Sequence, residues 1–429
     1  MVGHDGRHHG GESRQLTRDH SNRRSFPLRL SNMRILSLLS FLCLAAMAAN
    51  AQTGTYDVNI NSPQYFSVKV PDGNYKVTVT VGSKMRKAET VLRAESRRLM
   101  VENAVTKRGQ MTDYSFIVNK RSPRYVVVTD KGQREETVKL KDREKAYLNW
   151  DDSLTIEING AAPAVSRIQI ERDTTATTIF LCGNSTVVDQ ESEPWASWGQ
   201  MITRWFDSSV AISNHAESGL TARTFIGGNR LEKILTMMRP GDYVVCEFGH
   251  NDEKEKRPGD GAWYHYVYNL KIFVDKVRQA GGNIIFCTPT QRRFWQDDNK
   301  HIKDTHGDFP AAMLSVAERE KVPVIDLNGM TRTFFETLGY EDSKKALVHY
   351  PANTYPGQDK PLADNTHFNT YGAYEVAKMV VKGMQELKLP FLKGLRPDWT
   401  GFDPAHPDAH ADFKWYDAKS MDSKKPDGN

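Results

Sequence analysis

The sequence predicts two domains: an antiparallel β-sandwich, then an α/β domain built as a three-layer α/β/α, flavodoxin-like fold around a five-stranded parallel sheet. Three observations predict it. From Thr53 to about Asp173, apolar and polar residues alternate in short runs between turn signals, with no long helical period. From Thr177, continuous apolar runs alternate with helical periodicity, the mark of a parallel sheet covered on both faces. A length of 429 residues with 39% hydrophobic and 10% aromatic content suits two packed cores.

Residues 1–51 are expected to leave the mature chain. Residues 1–32 are polar, with four His and six Arg, and read as an upstream extension before a start at Met33. Arg34, the apolar run Ile35–Ala49 and the small residues Ala49-Asn50-Ala51 form a signal-peptide pattern with cleavage after Ala51. A secreted or periplasmic location is therefore expected. The apolar run is shorter than the roughly 20 residues that span a bilayer, so no membrane span is predicted. Without the seven Arg and three acidic residues of 1–51, the formal charge falls from +5 to +1. No electrostatic case for nucleic acid remains.

The sandwich is expected over 52–173. Its strands include Y-F-S-V-K-V, Y-K-V-T-V-T-V, R-Y-V-V-V and S-L-T-I-E-I, and its turns include Pro71-Asp72-Gly73-Asn74, Asp130-Lys131-Gly132 and Asn159-Gly160. The α/β domain is expected over 177–390. It opens with T-I-F-L-C-G and a helical W-A-S-W-G-Q-M-I-T-R-W-F. V-A-I-S-N-H-A, D-Y-V-V-C-E-F-G, N-I-I-F-C-T-P and V-P-V-I-D-L-N supply four more strands. Helices are expected over about 223–238, 264–279, 310–321 and 371–387. Residues 391–429, rich in Pro, Asp, His and Lys, are expected as a tail that wraps the surface or is partly disordered. Cys182, Cys246 and Cys287 each close an apolar run and read as buried thiols; no disulfide or metal-ligand spacing is present.

In such sheets the site lies beyond the carboxyl ends of the strands. Ser185, in Gly183-Asn184-Ser185-Thr186-Val187, follows the first strand, as a nucleophile or simply as a helix cap. Val187 stands where a G-x-S-x-G elbow would carry its second Gly. Asn214–Gly219 follows the second strand, and the Gly219 N–H is a candidate oxyanion donor, or Gly219 a plain loop glycine. Gly249-His250-Asn251-Asp252 follows the third strand, where Asn251 offers an amide to an oxyanion or shapes a turn. Asp364-Asn365-Thr366-His367 precedes the last helix. A Ser needs an imidazole to take its proton, and the imidazole needs a carboxylate to hold its tautomer. A three-residue spacing in a turn lets Asp364 and His367 serve one Ser. Arg292 and Arg293 follow the fourth strand, as carboxylate-binding or as salt-bridged arginines. His250 lines the pocket or packs beside Asn251. Trp195, Trp198 and Trp205 share one helix face, which suits core packing; sugar stacking by Trp195 is the alternative.

Taken singly these strings are weak, but together, in this order on one sheet, they resemble the SGNH/GDSL hydrolases. The blocks match Ser185, Gly219, Asn251 and His367, with Asp364 completing a triad, over about residues 177–390. Within that superfamily G-N-S-T-V, N-H-A-E-S-G-L-T-A-R-T-F, E-F-G-H-N-D, T-P-T-Q-R-R and D-N-T-H-F-N-T-Y-G-A resemble the rhamnogalacturonan acetylesterases. The sandwich resembles a galactose-binding-like module. Asn184 departs from the Asp usual in the family, and Leu220-Thr221 departs from Arg-Ser. The resemblance implies acyl transfer from an acetylated polysaccharide or oligosaccharide, with an oxyanion hole of the Ser185 and Gly219 N–H groups and the Asn251 amide, and with no cofactor or metal. A non-catalytic sugar-binding protein and an aryl or short-chain esterase of the same fold are the alternatives.

Overall fold

The computed structural model describes residues 53–418. The upstream extension and signal peptide, 1–51, lie outside the described residues, as do 419–429. The described residues belong to one compact unit.

Ten strands come first: β1 (Gly54–Ile60), β2 (Gln64–Lys69), β3 (Gly73–Gly82), β4 (Ala88–Ala94), β5 (Arg98–Thr106), β6 (Met111–Lys120), β7 (Arg124–Thr129), β8 (Gly132–Thr137), β9 (Ser153–Ala162) and β10 (Val165–Asp173). They form antiparallel sheets of order β1-β10-β3-β6 and β2-β9-β4-β5, with β7-β8 a separate hairpin. The alternation in β3 explains the pairing. Val77 and Val79 point inward, while Lys76, Thr78 and Thr80 stay half-buried. Those valines share a core with Leu92, Ile156 and Ile158 of the other sheet.

The α/β region carries β11 (Thr177–Gly183), β12 (Val210–Asn214), β13 (Tyr243–Glu247), β14 (Asn283–Cys287) and β15 (Val324–Ile325). They pair in parallel in the order β12-β11-β13-β14-β15, the predicted five-stranded doubly wound sheet. Cys182, Cys246 and Cys287 are buried free thiols at the ends of β11, β13 and β14.

The helices depart from expectation where backbone chemistry interrupts periodicity. The stretch predicted over 223–238 is two helices, Ala222–Gly227 and Arg230–Met237. They break at Gly227-Gly228-Asn229, where Asn229 takes a left-handed φ of 64°. The tryptophan segment is helical only over Trp198–Met201 and tightens to a 3₁₀ turn over Ile202–Trp205. The helix expected from Tyr264 begins as a π-turn at Ala262–Tyr266 and becomes regular at Val267–Gln279. Helix Phe309–Glu320 and helix Thr370–Glu386 stand within a residue of their predicted limits. Helix Leu327–Asp342 was not anticipated; Asp326 caps it by accepting from the Gly329 N–H at 3.0 Å.

Two further strands, β16 (Leu347–Tyr350) and β17 (Leu362–Phe368), pair antiparallel just before the last helix. The tail then runs back to the first domain. Trp415 lies under the Arg93 guanidinium at 3.9 Å, and the Tyr416 carbonyl accepts from Arg93.

Candidate active site

The chain leaves β11 through a turn built by Asn184. The Asn184 carbonyl accepts from the Val187 and Val188 N–H groups, and its side-chain oxygen accepts from Thr186 N–H and Oγ at 3.1 and 3.0 Å. Ser185 sits at the apex, and its carbonyl is anchored by Ser197 Oγ at 2.6 Å and Gln190 Nε2 at 3.1 Å.

Asp364 and His367 sit on β17, where a turn was expected. Three residues of β16, Leu347 to His349, face six of β17, Ala363 to Phe368. The surplus bulges out, because Asp364 Oδ1 accepts from the Thr366 and His367 N–H groups at 2.8 and 3.0 Å in place of the ladder. The bulge brings His367 Nδ1 to 2.8 Å from Asp364 Oδ2, and His367 Nε2 to 2.8 Å from Ser185 Oγ. Burial of Asp364 opposes its charge. The hydrogen bond and charge of His367 and the two backbone N–H groups outweigh this and hold its pKa far below the ordinary carboxylate range.

Gly219 occupies the third position of the turn Glu217–Leu220, closed by Leu220 N–H to Glu217 O at 3.2 Å, and its φ of 77° demands glycine. The Ser185 and Gly219 N–H groups meet no protein acceptor among the described residues. Asn251 donates one amide hydrogen to the Leu220 carbonyl at 3.1 Å, which leaves the second available. The first domain grips the Glu217–Leu220 turn from outside. Lys141 Nζ donates to Ser218 O at 2.6 Å, and Arg143 pairs with the Glu217 carboxylate.

A model of the GDSL-like lipase/acylhydrolase family matches residues 181–373. The chain is 39% identical over 214 residues to the rhamnogalacturonan acetylesterase RhgT of Bacillus subtilis, covering 49% of this chain and 91% of the relative. The chain belongs to the GDSL/SGNH hydrolase family. It is a carboxylic-ester hydrolase. It is also 26% identical over 333 residues to the uncharacterized esterase YxiM of Bacillus subtilis, covering 77% of this chain and 75% of that one. The crystal structure of the Bacillus subtilis protein YxiM aligns at 25% identity with a TM-score of 0.45, covering 76% and 81% of the two chains.

The other predicted residues of this SGNH hydrolase fall into place differently. His250 is buried, packed edge-on to His306 at 4.7 Å, and neither ring nitrogen has a partner among the described residues. Burial, then the neighbouring His306 and Arg292 charges, keep its pKa well below the usual histidine value. Arg292 answers to the salt-bridged reading. Its guanidinium meets Glu253 at 2.5 Å and donates to Thr305 Oγ1 and His250 O, each at 3.2 Å. Arg293 pins the bulge of β17. Its N–H donates to Asn365 O at 2.7 Å and its Nη1 to Asn365 Oδ1 at 3.2 Å. Trp195 is 3% exposed and meets the His367 ring edge-on at 5.6 Å, as packing and not as an open stacking face.

Sequence reasoning passed over Glu247, the last residue of β13. It is fully buried and joins three segments, accepting from Thr186 Oγ1 at 2.8 Å, Trp198 Nε1 at 2.5 Å and the Thr290 N–H at 3.3 Å. A carboxylate inside the apolar run V-V-C-E-F was the available signal. Glu255, Asp260 and His265 offer ligand atoms within 4.8 Å of one another. Two arginines already pair with its carboxylates: Arg223 at 2.5 Å from Glu255 and 3.0 Å from Asp260, and Arg257 at 3.2 and 3.3 Å from the same two. Among the described residues no helix is long and apolar enough to cross a membrane.

Proposed function

We propose that this hydrolase removes O-acetyl groups from a pectic polysaccharide of the rhamnogalacturonan class, outside the cytoplasm, through a Ser185–His367–Asp364 triad. The observation that carries the reading is the unbroken relay of two 2.8 Å hydrogen bonds from Ser185 Oγ through His367 to Asp364. The substrate class rests on likeness to RhgT.

In this mechanism His367 Nε2 takes the Ser185 proton as Oγ attacks the acetyl carbonyl. Asp364 stays ionised, fixes the imidazole tautomer and stabilises the imidazolium. The oxyanion forms against the Ser185 and Gly219 N–H groups and the free amide hydrogen of Asn251; one such donor lowers the barrier by about 2.7–4 kcal/mol. Collapse breaks the ester C–O bond, and the departing sugar oxygen takes the proton from His367. Water, activated by His367, then attacks the acetyl-enzyme, releasing acetate and restoring Ser185. The chain's own side chains and backbone N–H groups, with water as the second acceptor, carry every step of this proposal.

The test is acetate release by the purified protein from acetylated rhamnogalacturonan, xylan and mannan. Release from the pectic polymer, lost in Ser185→Ala, is expected. No release from any acetylated glycan would overturn the reading. A preference for octanoate over acetate nitrophenyl esters would favour a lipase-like esterase instead.

A further inference from the structure

We infer that an open pocket beside Asn365 is a glycan subsite in which a pyranose ring of the polymer stacks on Phe294, an inference that rests on the polysaccharide reading above. The pocket holds about 420 Å³ and is lined by Phe294, Trp295, Gln296, Asn299, Tyr340 and Asn365.

Phe294 is 44% exposed and Tyr340 41% exposed, whereas Trp195 beside His367 is buried and Trp295 half-buried. Nothing about these two positions is loose. Phe294 stands on a short excursion closed by Lys303 N–H to Phe294 O at 2.8 Å and Gln296 N–H to His301 O at 2.9 Å, with Trp295 paired to Ile302. Tyr340 is braced by the Trp295 ring at 5.8 Å and the Arg293 guanidinium at 5.0 Å. A ring presented by fixed backbone needs little ordering when a ligand arrives.

The rim is equally specific. Asn365 Oδ1 accepts from Arg293 Nη1 at 3.2 Å and from His349 Nε2 at 2.9 Å. These bonds fix the amide and leave its two N–H donors without a protein acceptor among the described residues. Gln296 and Asn299 add two more carboxamides, and Asp297 a carboxylate. An aromatic wall with a rim of carboxamides matches one chemistry: a sugar ring, with an apolar C–H face and an edge of hydroxyls. An aliphatic acyl chain would strand those polar groups. Asn365, which lines the pocket, is the residue between Asp364 and Thr366 on the β17 bulge. The sugar bound here belongs to the same chain as the acetylated residue but is a different unit of it.

The experiment is calorimetric titration of the full chain with a deacetylated rhamnogalacturonan oligosaccharide, alongside acetate release from the acetylated polymer. Phe294→Ala is expected to weaken binding about tenfold, and Phe294→Trp to restore it to within about threefold. Binding by folded Phe294→Ala as tight as that of the wild type would overturn the subsite. So would acetate release by a wild type that shows no oligosaccharide binding. Binding that depends on Phe294 without acetate release would keep the subsite and overturn the esterase reading alone.

Discussion

Ser185 and His367 share one hydrogen bond, and His367 and Asp364 another, so each side chain depends on the next. Ser185→Ala is expected to cut acetate release by about a thousandfold or more while the melting temperature stays level. Asp364→Asn is expected to lose a similar factor, because an amide can present its N–H to His367 and stabilise the wrong tautomer. Full activity in either variant, measured with purified protein on one acetylated substrate, would break the proposed triad. Gly219→Ala tests the oxyanion turn. Its φ of 77° makes any side chain strained, by about 1 kcal/mol or more, and the expected result is a lower kcat with a modest loss of stability. Ser185, Gly219 and Asn251 were legible as candidates because they follow strands of the parallel sheet, and Asp364 and His367 because of their three-residue spacing. For Arg292 the salt-bridged alternative was open but its partner was not, because Glu253 lies on another loop and sequence spacing does not report such pairs. Phe294 stood beside the two arginines in R-R-F-W, and its exposure became visible only in three dimensions.

The Glu217–Leu220 turn belongs to one domain but is held by Lys141 and Arg143 of the other. Lys141→Met or Arg143→Met is expected to lower kcat about tenfold with little change in KM, since a turn that drifts loses its oxyanion contact before its ground-state contacts. Lys141→Arg should recover most of the loss. Steady-state kinetics on a soluble acetate ester would show this, and an unaltered kcat would sever the link between the grip and the turn. The five parallel strands were read because β11 and β13 are short apolar runs bounded by turns, and β3 because it alternates cleanly, but β1, β4, β5, β6, β8 and β10 were not singled out. Helices were harder. Periodicity continues through Gly228-Asn229, although a left-handed residue there ends one helix and starts another. V-P-V-I-D-L-N holds only two strand residues before Asp326 starts a helix. The β16–β17 pair was unreadable as a strand because its bulge replaces alternation with Asp364-Asn365-Thr366-His367.

Across the molecule, buried charge joins the N-terminal β-rich region to the α/β region. Arg98 pairs with Asp189 at 2.6 Å, Arg97 with Glu193 at 2.5 Å, and Arg230 with Glu144 at 2.5 Å. Removing one side of such pairs leaves the other uncompensated in a poor solvent for ions. Residues 174–418 expressed alone are therefore expected to give no cooperative melt and no esterase activity, although RhgT is matched over 91% of its length by 214 residues of this chain. A well-folded, active fragment would refute that dependence. Burial also raises Glu95 to about 8 and Glu217 and Asp252 to about 7. Carboxyls raised in the fold keep protons there that the unfolded chain releases. Stability should therefore fall as pH climbs from the ordinary carboxylate range, about 4, through these raised values. Asp364 works in the opposite sense, and its contribution is lost only in strong acid. The melting temperature should be higher at pH 5 than at pH 8, with a shallower slope in Glu95→Gln; an equal or higher melting point at pH 8 would contradict this. Ser185 and His367 are 182 residues apart, and the imidazole reaches the hydroxyl only after β17 has docked. A ribosome must therefore release the chain through His367 before Ser185 gains this partner. Until then the nascent chain carries a chemically ordinary serine, and the cell that makes this esterase is spared its action at least until β17 has been synthesised and docked.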